Sequence, residues 1–349
     1  MSETWSSFSG AGEPEFKGLV LDQVEELMAD SLHRLKTHRL AQLSLEHLSS
    51  GGRRLRARLA LDVGKALGVE THLNVSWAAA CELLHNATLV LDDIQDQDEE
   101  RRGQPTLWAK HGLPAALNVG ELLLMLPHWI IKQMHLPAER QVELLGKMTD
   151  TCICLVSGQM DETTLQDQLE RVDLWQSYLE AISGKTSPLF ELPVWGNVFI
   201  ATGDVALAQR WAQPFRHFGV VFQLADDLAD VLGKKEGRRR GADLMEGKVS
   251  ALIPLYLKDR PEKTQELKRF LQTDRGQLDT KIINYWLEEF ESQGIFDELH
   301  ARILYWLKSF GQSSLRQEQP EVYQIGVFYL RQVLSTFGYS QDEDFYGIL

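Results

Sequence analysis

The chain has 349 residues, 44% of them apolar and 25% charged, an ordinary globular composition that excludes disorder, collagen and low complexity. With 36 Lys and Arg against 50 Asp and Glu, the net charge is −14. Nucleic acid and anionic membranes are therefore poor partners, and any polyanion must be met by local basic residues or a bridging cation. No run is read as approaching the ~20 apolar residues of a membrane span, and the first fourteen residues lack the basic start and apolar core of a secretory signal. Three cysteines (Cys81, Cys152, Cys154) with no C-x-x-C fit a reducing, cytoplasmic setting.

Apolar residues at Trp77, Ala80, Cys81, Leu84 and Leu91 recur at i, i+3, i+4 and predict a helix from Ser76 onward. The same period runs through 142–156, 174–182, 206–230, 281–290 and 297–310. Period-two runs are scarce, so the predicted class is all-α. Breakers fall at 49–52, 102–106, 112–114, 233–241 and 317–320, and none is long enough to be an interdomain linker. The chain is read as one domain, 1–349, with 1–15 as a flexible tail.

Two segments repeat a D-D-x-x-D pattern: Asp92-Asp93-Ile94-Gln95-Asp96 and Asp226-Asp227-Leu228-Ala229-Asp230. On a helix, residues four apart lie about 40° from each other, so Asp92 and Asp96 share one face, as do Asp226 and Asp230. Like charges so placed cost a few tenths of a kcal/mol. One such pattern is more often solvated surface. Two, each following an apolar helical stretch, point to neutralisation by a cation. Ligands that are all oxygen suit Mg²⁺, which keeps waters and completes its shell with phosphate oxygens. The simplest arrangement is two aspartate walls gripping one diphosphate, which argues for one domain.

Basic residues complete the picture. Gly51-Gly52-Arg53-Arg54-Leu55-Arg56 joins close backbone approach to guanidinium forks suited to phosphate. Arg101-Arg102-Gly103 lies just past the first aspartate motif, and His85, seven residues before Asp92, is about 20° off its face. After the second motif, Lys234, Lys235, Arg238, Arg239, Arg240 and Lys248 concentrate positive charge in a segment read as a lid. Read singly, the arginine run is a solvated turn and the histidine a satisfied core residue.

Taken in order, these residues resemble the all-trans isoprenyl (polyprenyl) diphosphate synthases. Gly51–Arg56 is similar to that family's G-G-K-R-x-R, and Asp92–Asp96 with Arg101–Gly103 to its first aspartate-rich motif. Gly158-Gln159-Met160-Asp161 resembles G-Q-x-x-D with its Asp one position early, and Lys185-Thr186 the family's Lys-Thr pair. Phe222-Gln223-x-x-Asp226-Asp227-x-x-Asp230 resembles the second aspartate-rich motif. The segment 237–243 and Gly247-Lys248 resemble the following G-K-x-x-G-x-D and G-K. The resemblance implies an all-α, single-domain isoprenoid-synthase helical bundle around a central active-site cavity, usually a homodimer. It also implies Mg²⁺-dependent head-to-tail condensation of an allylic diphosphate (dimethylallyl, geranyl or farnesyl) with isopentenyl diphosphate. Carried over by position, Asp92, Asp96 and Asp226 ligate three Mg²⁺, with Asp227 and Asp230 in support. Arg101, Lys185 and Lys248 hold the allylic diphosphate, and Arg238 and Gln223 count among the substrate-binding residues. Arg53, Arg56, His85 and Arg102 hold isopentenyl diphosphate. Gln223, Thr186 and the Lys185 carbonyl face the developing allylic cation.

Departures are few. Arg53 and Arg238 stand where lysine is usual, Glu121 where Asp is common, and Ala57 where Pro is usual; no metal ligand is lost. Class I terpene cyclases and non-catalytic partner subunits are the rival readings. Cyclases carry an Asn/Ser/Glu second site and need no isopentenyl subsite, and regulatory subunits tend to lose aspartates. The positions four and five before Asp92, where short-chain members place aromatic blocks, are Thr88 and Ala87. Small side chains there predict a product of C20 or longer, with the limit set by Leu84 or by the stretch 124–128 around Pro127.

Overall fold

Turn-forming residues divide this chain into helices at the places the sequence marks for them. In the computed structural model the described residues are 14–34, 38–234, 239–273 and 279–339. Arg238, Lys235 and most of the expected N-terminal tail lie outside them, while Pro14 and Glu15 already belong to the first helix. The helices in chain order are α1 (Pro14–His33), α2 (His38–Ser49), α3 (Leu55–Ala66), α4 (Thr71–Gln95), α5 (Leu107–His111), α6 (Leu113–Gln133), α7 (Ala138–Thr164), α8 (Leu174–Lys185) and α9 (Pro188–Thr202). They continue with α10 (Val205–Ala212), α11 (Arg216–Val231), α12 (Ala242–Met245), α13 (Leu252–Asp259), α14 (Thr264–Leu271), α15 (Thr280–Ser292), α16 (Ile295–Gly311), α17 (Leu315–Glu318) and α18 (Pro320–Thr336). Among the described residues the strands are only β1 (Glu100–Arg101) and β2 (Gln104–Pro105), an antiparallel hairpin. The all-α expectation holds. The helical period over 206–230 is interrupted between Ala212 and Arg216 by a 3₁₀ turn carrying Pro214, which cannot donate the helical N–H.

The chain divides into two compact units, residues 1–148 with 196–204, and 149–195 with 205–349. In the first, α4 is the central helix. Its buried face (Leu73, Trp77, Ala80, Cys81, Leu84, Ala87) follows the period read from the sequence. Close approaches to α4 are made over glycines. A Cβ on Gly120 of α6 would lie 2.6 Å from Leu91, and one on Gly196 would meet the Trp77 ring. Asn197 donates to the Ala60 carbonyl (2.8 Å) and Asn74 to that of Leu61 (2.9 Å), fastening α3 from two sides.

Helix α6 corrects one expectation. It is long and apolar enough, by length and composition alone, to cross a membrane, and 44% of it is buried. Its buried positions (Ala116, Val119, Gly120, Leu123, Leu126, Pro127, Ile130, Ile131) form one stripe. Leu117, Met125 and Trp129, away from that stripe, are exposed, as is Leu113 in the first turn. A charge-poor helix that is apolar on both sides escapes a reading keyed to uninterrupted apolar runs, because Pro, Asn, His and Glu punctuate it.

In the second unit, aromatic rings fill the centre. Phe215, Phe218 and Phe310 pack at 4.9–5.7 Å between centroids, and Tyr323 stacks on Phe310 at 5.3 Å. Gly158 of α7 lies so close to α8 that a Cβ would meet the Lys185 amide nitrogen at 2.3 Å. The buried Glu191 binds Arg216 (2.7 Å) and so ties α9 to the start of α11.

Candidate active site

Each aspartate motif occupies the last turn of a long helix. Asp92 and Asp93 lie in the final turn of α4, and Asp96 is its C-cap, its N–H bonded to the Asp92 carbonyl (2.8 Å). Asp226, Asp227 and Asp230 lie in the last turns of α11. Neither helix has a basic residue in its last turn. The C-terminal end of a helix carries partial negative charge and disfavours carboxylates by roughly 0.3–1 kcal/mol each. Both units therefore place three carboxyl groups where helix electrostatics oppose them, an arrangement a divalent cation reverses.

In the first unit the aspartates divide by burial. Asp92 and Asp96 are half-buried, while Asp93 is buried and takes Arg101 through Nε (2.7 Å) and Nη2 (2.6 Å). Burial raises the Asp93 carboxyl, and Arg101 opposes that rise. The pairing fixes Arg101 at the start of the hairpin. Its two-residue turn, Arg102-Gly103, has positive φ at both positions (55° and 74°), the I′ pattern that matches strand twist. The turn sends Arg102 to the Gly51 carbonyl and over Gly52, where a Cβ would sit 2.8 Å from the guanidinium.

The glycine pair and its arginines are held from beneath. Arg54, left-handed at φ 49°, binds Glu25 (2.5 Å) and the Leu48 carbonyl (2.5 Å), and lies 3.8 Å from Glu82. Glu82 is buried on α4 and accepts from the Ala57 N–H (3.1 Å) at the start of α3. Burial raises its carboxyl, and Arg54 and Arg56 pull it back down. Arg56 is buried and lowered to about 10, by burial first. Arg53 is exposed. His85 is half-buried, with Nδ1 shut from solvent and without a partner. Burial, then Arg56, Arg101 and Arg102, push it well below the usual range, so it is neutral. In the first unit Arg56, Arg101 and Arg102 thus converge on His85 as one positive cluster, while Arg53 is exposed.

In the second unit, Asp226, Asp227 and Asp243 each offer a carboxylate oxygen within 4.8 Å of the others. Asp243, on α12, was read only as part of a motif and not as a ligand. Nothing in local spacing joins it to α11; the intervening turn does. Asp227 is fully enclosed, accepting from the Tyr178 hydroxyl (2.7 Å), Gln223 Nε2 (2.9 Å) and the Ala251 N–H (2.6 Å). Burial, then the nearby Asp243, push it up to about 7. Asp230 is buried at the foot of α12, where its Oδ2 accepts from the Asp243 N–H (3.4 Å), and it stands outside the triad. Oxygen-only donors, one of them raised by burial and by a neighbouring carboxylate, fit Mg²⁺.

Lys185, at the end of α8, binds Glu162 of α7 at 2.5 Å, while Asp161 faces solvent. The residue that fills the last position of G-Q-x-x-D is therefore Glu162. The sequence offers an Asp at 161, one residue before the position of α7 that meets Lys185. Thr186 is the buried C-cap of α8. Lys248 lies 3.1 Å from Glu246, and its N–H bonds the Asp243 carbonyl (2.9 Å), placing it beside the triad.

Comparison with known proteins bears on this arrangement. Residues 37–289 match the family described as Polyprenyl synthetase. The chain is 31% identical to a geranylgeranyl pyrophosphate synthase of Geoglobus acetivorans, over 67% of this chain and 72% of that one. It is 28% identical to a short chain isoprenyl diphosphate synthase of Methanothermobacter thermautotrophicus, over 80% and 85%. An all-trans-nonaprenyl-diphosphate synthase of Rhodobacter capsulatus is 30% identical over 73% and 76%. The fold is similar to that of a geranylgeranyl pyrophosphate synthetase from Pyrococcus horikoshii, with a TM-score of 0.78, 23% identity, and 90% and 98% of the two chains covered.

Proposed function

Because the chain belongs to the polyprenyl synthetase family and is a trans-prenyltransferase, we propose that it condenses an allylic diphosphate with isopentenyl diphosphate, head to tail, to an all-trans product of C20 or longer. One observation carries the reading: two sets of aspartates seated at the C-terminal ends of α4 and α11, where the helix ends disfavour carboxylates and a bound cation offsets that cost. Asp92 and Asp96 in the first unit, and Asp226, Asp227 and Asp243 in the second, would hold three Mg²⁺ in all, with Asp230 anchoring α12 behind them. When bound, Mg²⁺ supplies the positive charge that makes diphosphate a competent leaving group.

The chain's own residues divide the remaining work. Lys185, Lys248 and Arg101 bind the allylic diphosphate and share in neutralising its charge as the C–O bond breaks. The Gln223 amide, oriented by its bond to Asp227, and the Thr186 hydroxyl present dipoles to the allylic cation. Arg53, Arg56, His85 and Arg102 bind the diphosphate of the acceptor, whose double bond attacks that cation. Four guanidinium or imidazole groups with no metal suit a diphosphate that is held but not expelled. Thr88 and Ala87 present no aromatic block to a lengthening tail. Names among the relatives run from short-chain to nonaprenyl synthases, so chain length rests on those two side chains. The enzyme works as a homodimer through the exposed apolar side of α6.

Purified protein incubated with farnesyl diphosphate, labelled isopentenyl diphosphate and Mg²⁺ should yield labelled products of C20 or longer, and none with EDTA. Release of cyclic hydrocarbon without consuming isopentenyl diphosphate would establish a cyclase instead. No turnover with any allylic primer would overturn the enzyme reading.

A further inference from the structure

The positive cluster of the first unit contains a residue that no motif marks. His47 lies in the last turn of α2 and is buried. Three arginines act on its charge. Arg54 approaches from the loop before α3, and Arg101 and Arg102 from the hairpin. His85 faces it from α4, and Glu82 and Asp93 on the same helix take up Arg54 and Arg101. On α2 itself, Glu46 turns away to Lys110 and His111.

The tautomer of His47 follows from its partner. Asn86 is the one neighbouring side chain whose contact favours the charged imidazole, as an acceptor facing the ring does. Asn86 uses its amide Nδ2 as donor to the Glu82 carbonyl (2.8 Å) and to Glu82 Oε1 (3.4 Å). Its amide oxygen is thus the acceptor, and the imidazole donates. Nε2 is shut from solvent and has no partner, so the donor is Nδ1. What remains is a bare lone pair on Nε2, buried in a ring of arginines. A buried atom left so is a place that a bound group can complete.

A phosphate oxygen is itself an acceptor and repels that lone pair until a proton lies between them. We propose that His47 is a further residue of the isopentenyl diphosphate subsite, its Nε2 taking up a proton as the diphosphate binds and then donating to a phosphate oxygen. The proton comes from solvent, and Nδ1–H stays on the Asn86 oxygen throughout. The free protein keeps this imidazole neutral, at about 4, because burial and three arginines oppose its charge. The incoming anion cancels the arginines and reverses the balance. The inference rests on the proposed assignment of the arginine cluster to isopentenyl diphosphate.

Isothermal titration of the full chain with isopentenyl diphosphate, at about pH 6.5 in two buffers of different ionisation heat, counts the protons taken up. The unmodified protein should take up a substantial fraction of a proton. His47→Gln, whose amide can donate near the Nε2 position without titrating, should bind within a few-fold and lose that uptake. His47→Ala should bind roughly ten-fold more weakly, the loss of one charge-assisted bond. Uptake in His47→Gln equal to that of the parent would assign the proton to His85 or the ligand and overturn the proposal. So would unweakened binding by His47→Ala. If the parent chain neither binds isopentenyl diphosphate nor extends farnesyl diphosphate, it is the reading of the cluster that has failed; normal turnover with unaltered His47 variants would refute the role of His47 alone.

Discussion

Asp226 separates a structural from a catalytic carboxylate. It is half-buried at the negative end of α11, next to Asp227 and Asp243. Asp226→Asn should cost activity ~10²-fold or more, the usual scale for a group that stabilises charge in the transition state. In EDTA the same change should leave melting unchanged or raise it, because a carboxylate leaves an unfavourable helix end. A drop in Tm under EDTA would mean that Asp226 is structural. Asp227 supplies a pH dependence. Raised to about 7 in the metal-free protein, it is protonated below that value, and a cation binding there must displace the proton. The Mg²⁺ concentration giving half-maximal activity should be flat above about pH 7 and rise up to tenfold per pH unit below it. Equal Mg²⁺ requirements at pH 6 and pH 8 would show that Asp227 stays protonated or plays no part in the metal site.

At the scale of the helix, α4 carries both the first aspartates and the side chains proposed to set product length. Ala87 is completely buried within its own unit, whereas Thr88 is half-buried, its hydroxyl bonded to the His85 carbonyl at 2.8 Å. A tyrosine at 87 must displace packed neighbours, at roughly 1–3 kcal/mol, and would confound shortening with destabilisation. Thr88→Tyr is the cleaner variant. It should shift the products from farnesyl and dimethylallyl primers down by at least one isoprene unit with little loss of Tm. Unchanged product length by chromatography would place the limit deeper, at Leu84 or along α6. Pairing by close backbone approach explains a second feature of the helices. Only glycine at 158 lets α7 reach the end of α8, and that contact brings Glu162 to Lys185.

For the whole molecule the open question of assembly turns on α6. Leu113, Leu117, Met125 and Trp129 are exposed on one helix of a chain with net charge −14. Burying such a face contributes about 25 cal/mol per Å², and a second copy of the chain is the proposed cover. Light scattering should give about twice 39.7 kDa, consistent with closed twofold assembly. The double change Met125→Asp and Trp129→Asp should yield monomers that remain helical. A monomeric parent, or one that sediments with anionic vesicles, would rule out this use of the face.

Chemistry carried by local spacing was legible in the chain itself. Two D-D-x-x-D patterns, the Gly51–Arg56 run and the Arg101–Gly103 turn each lie within six residues, so helix geometry and turn rules were enough to read them, and the comparisons then confirmed the family. The all-α class followed for the same reason, since a 3.6-residue period is a local property. Other features came only with tertiary structure. Asp243 reaches Asp226 and Asp227 through the turn into α12, Glu162 rather than Asp161 reaches Lys185 because α7 presents that face to α8, and His47 enters the arginine cluster from a helix with no motif. The apolar outer side of α6 was equally hidden, because exposure depends on which neighbours cover a surface. Each of these depends on which faces of separate helices meet, and that is fixed by the packing of the core around α4 and around the Phe215–Phe310 cluster, which no short window of sequence contains.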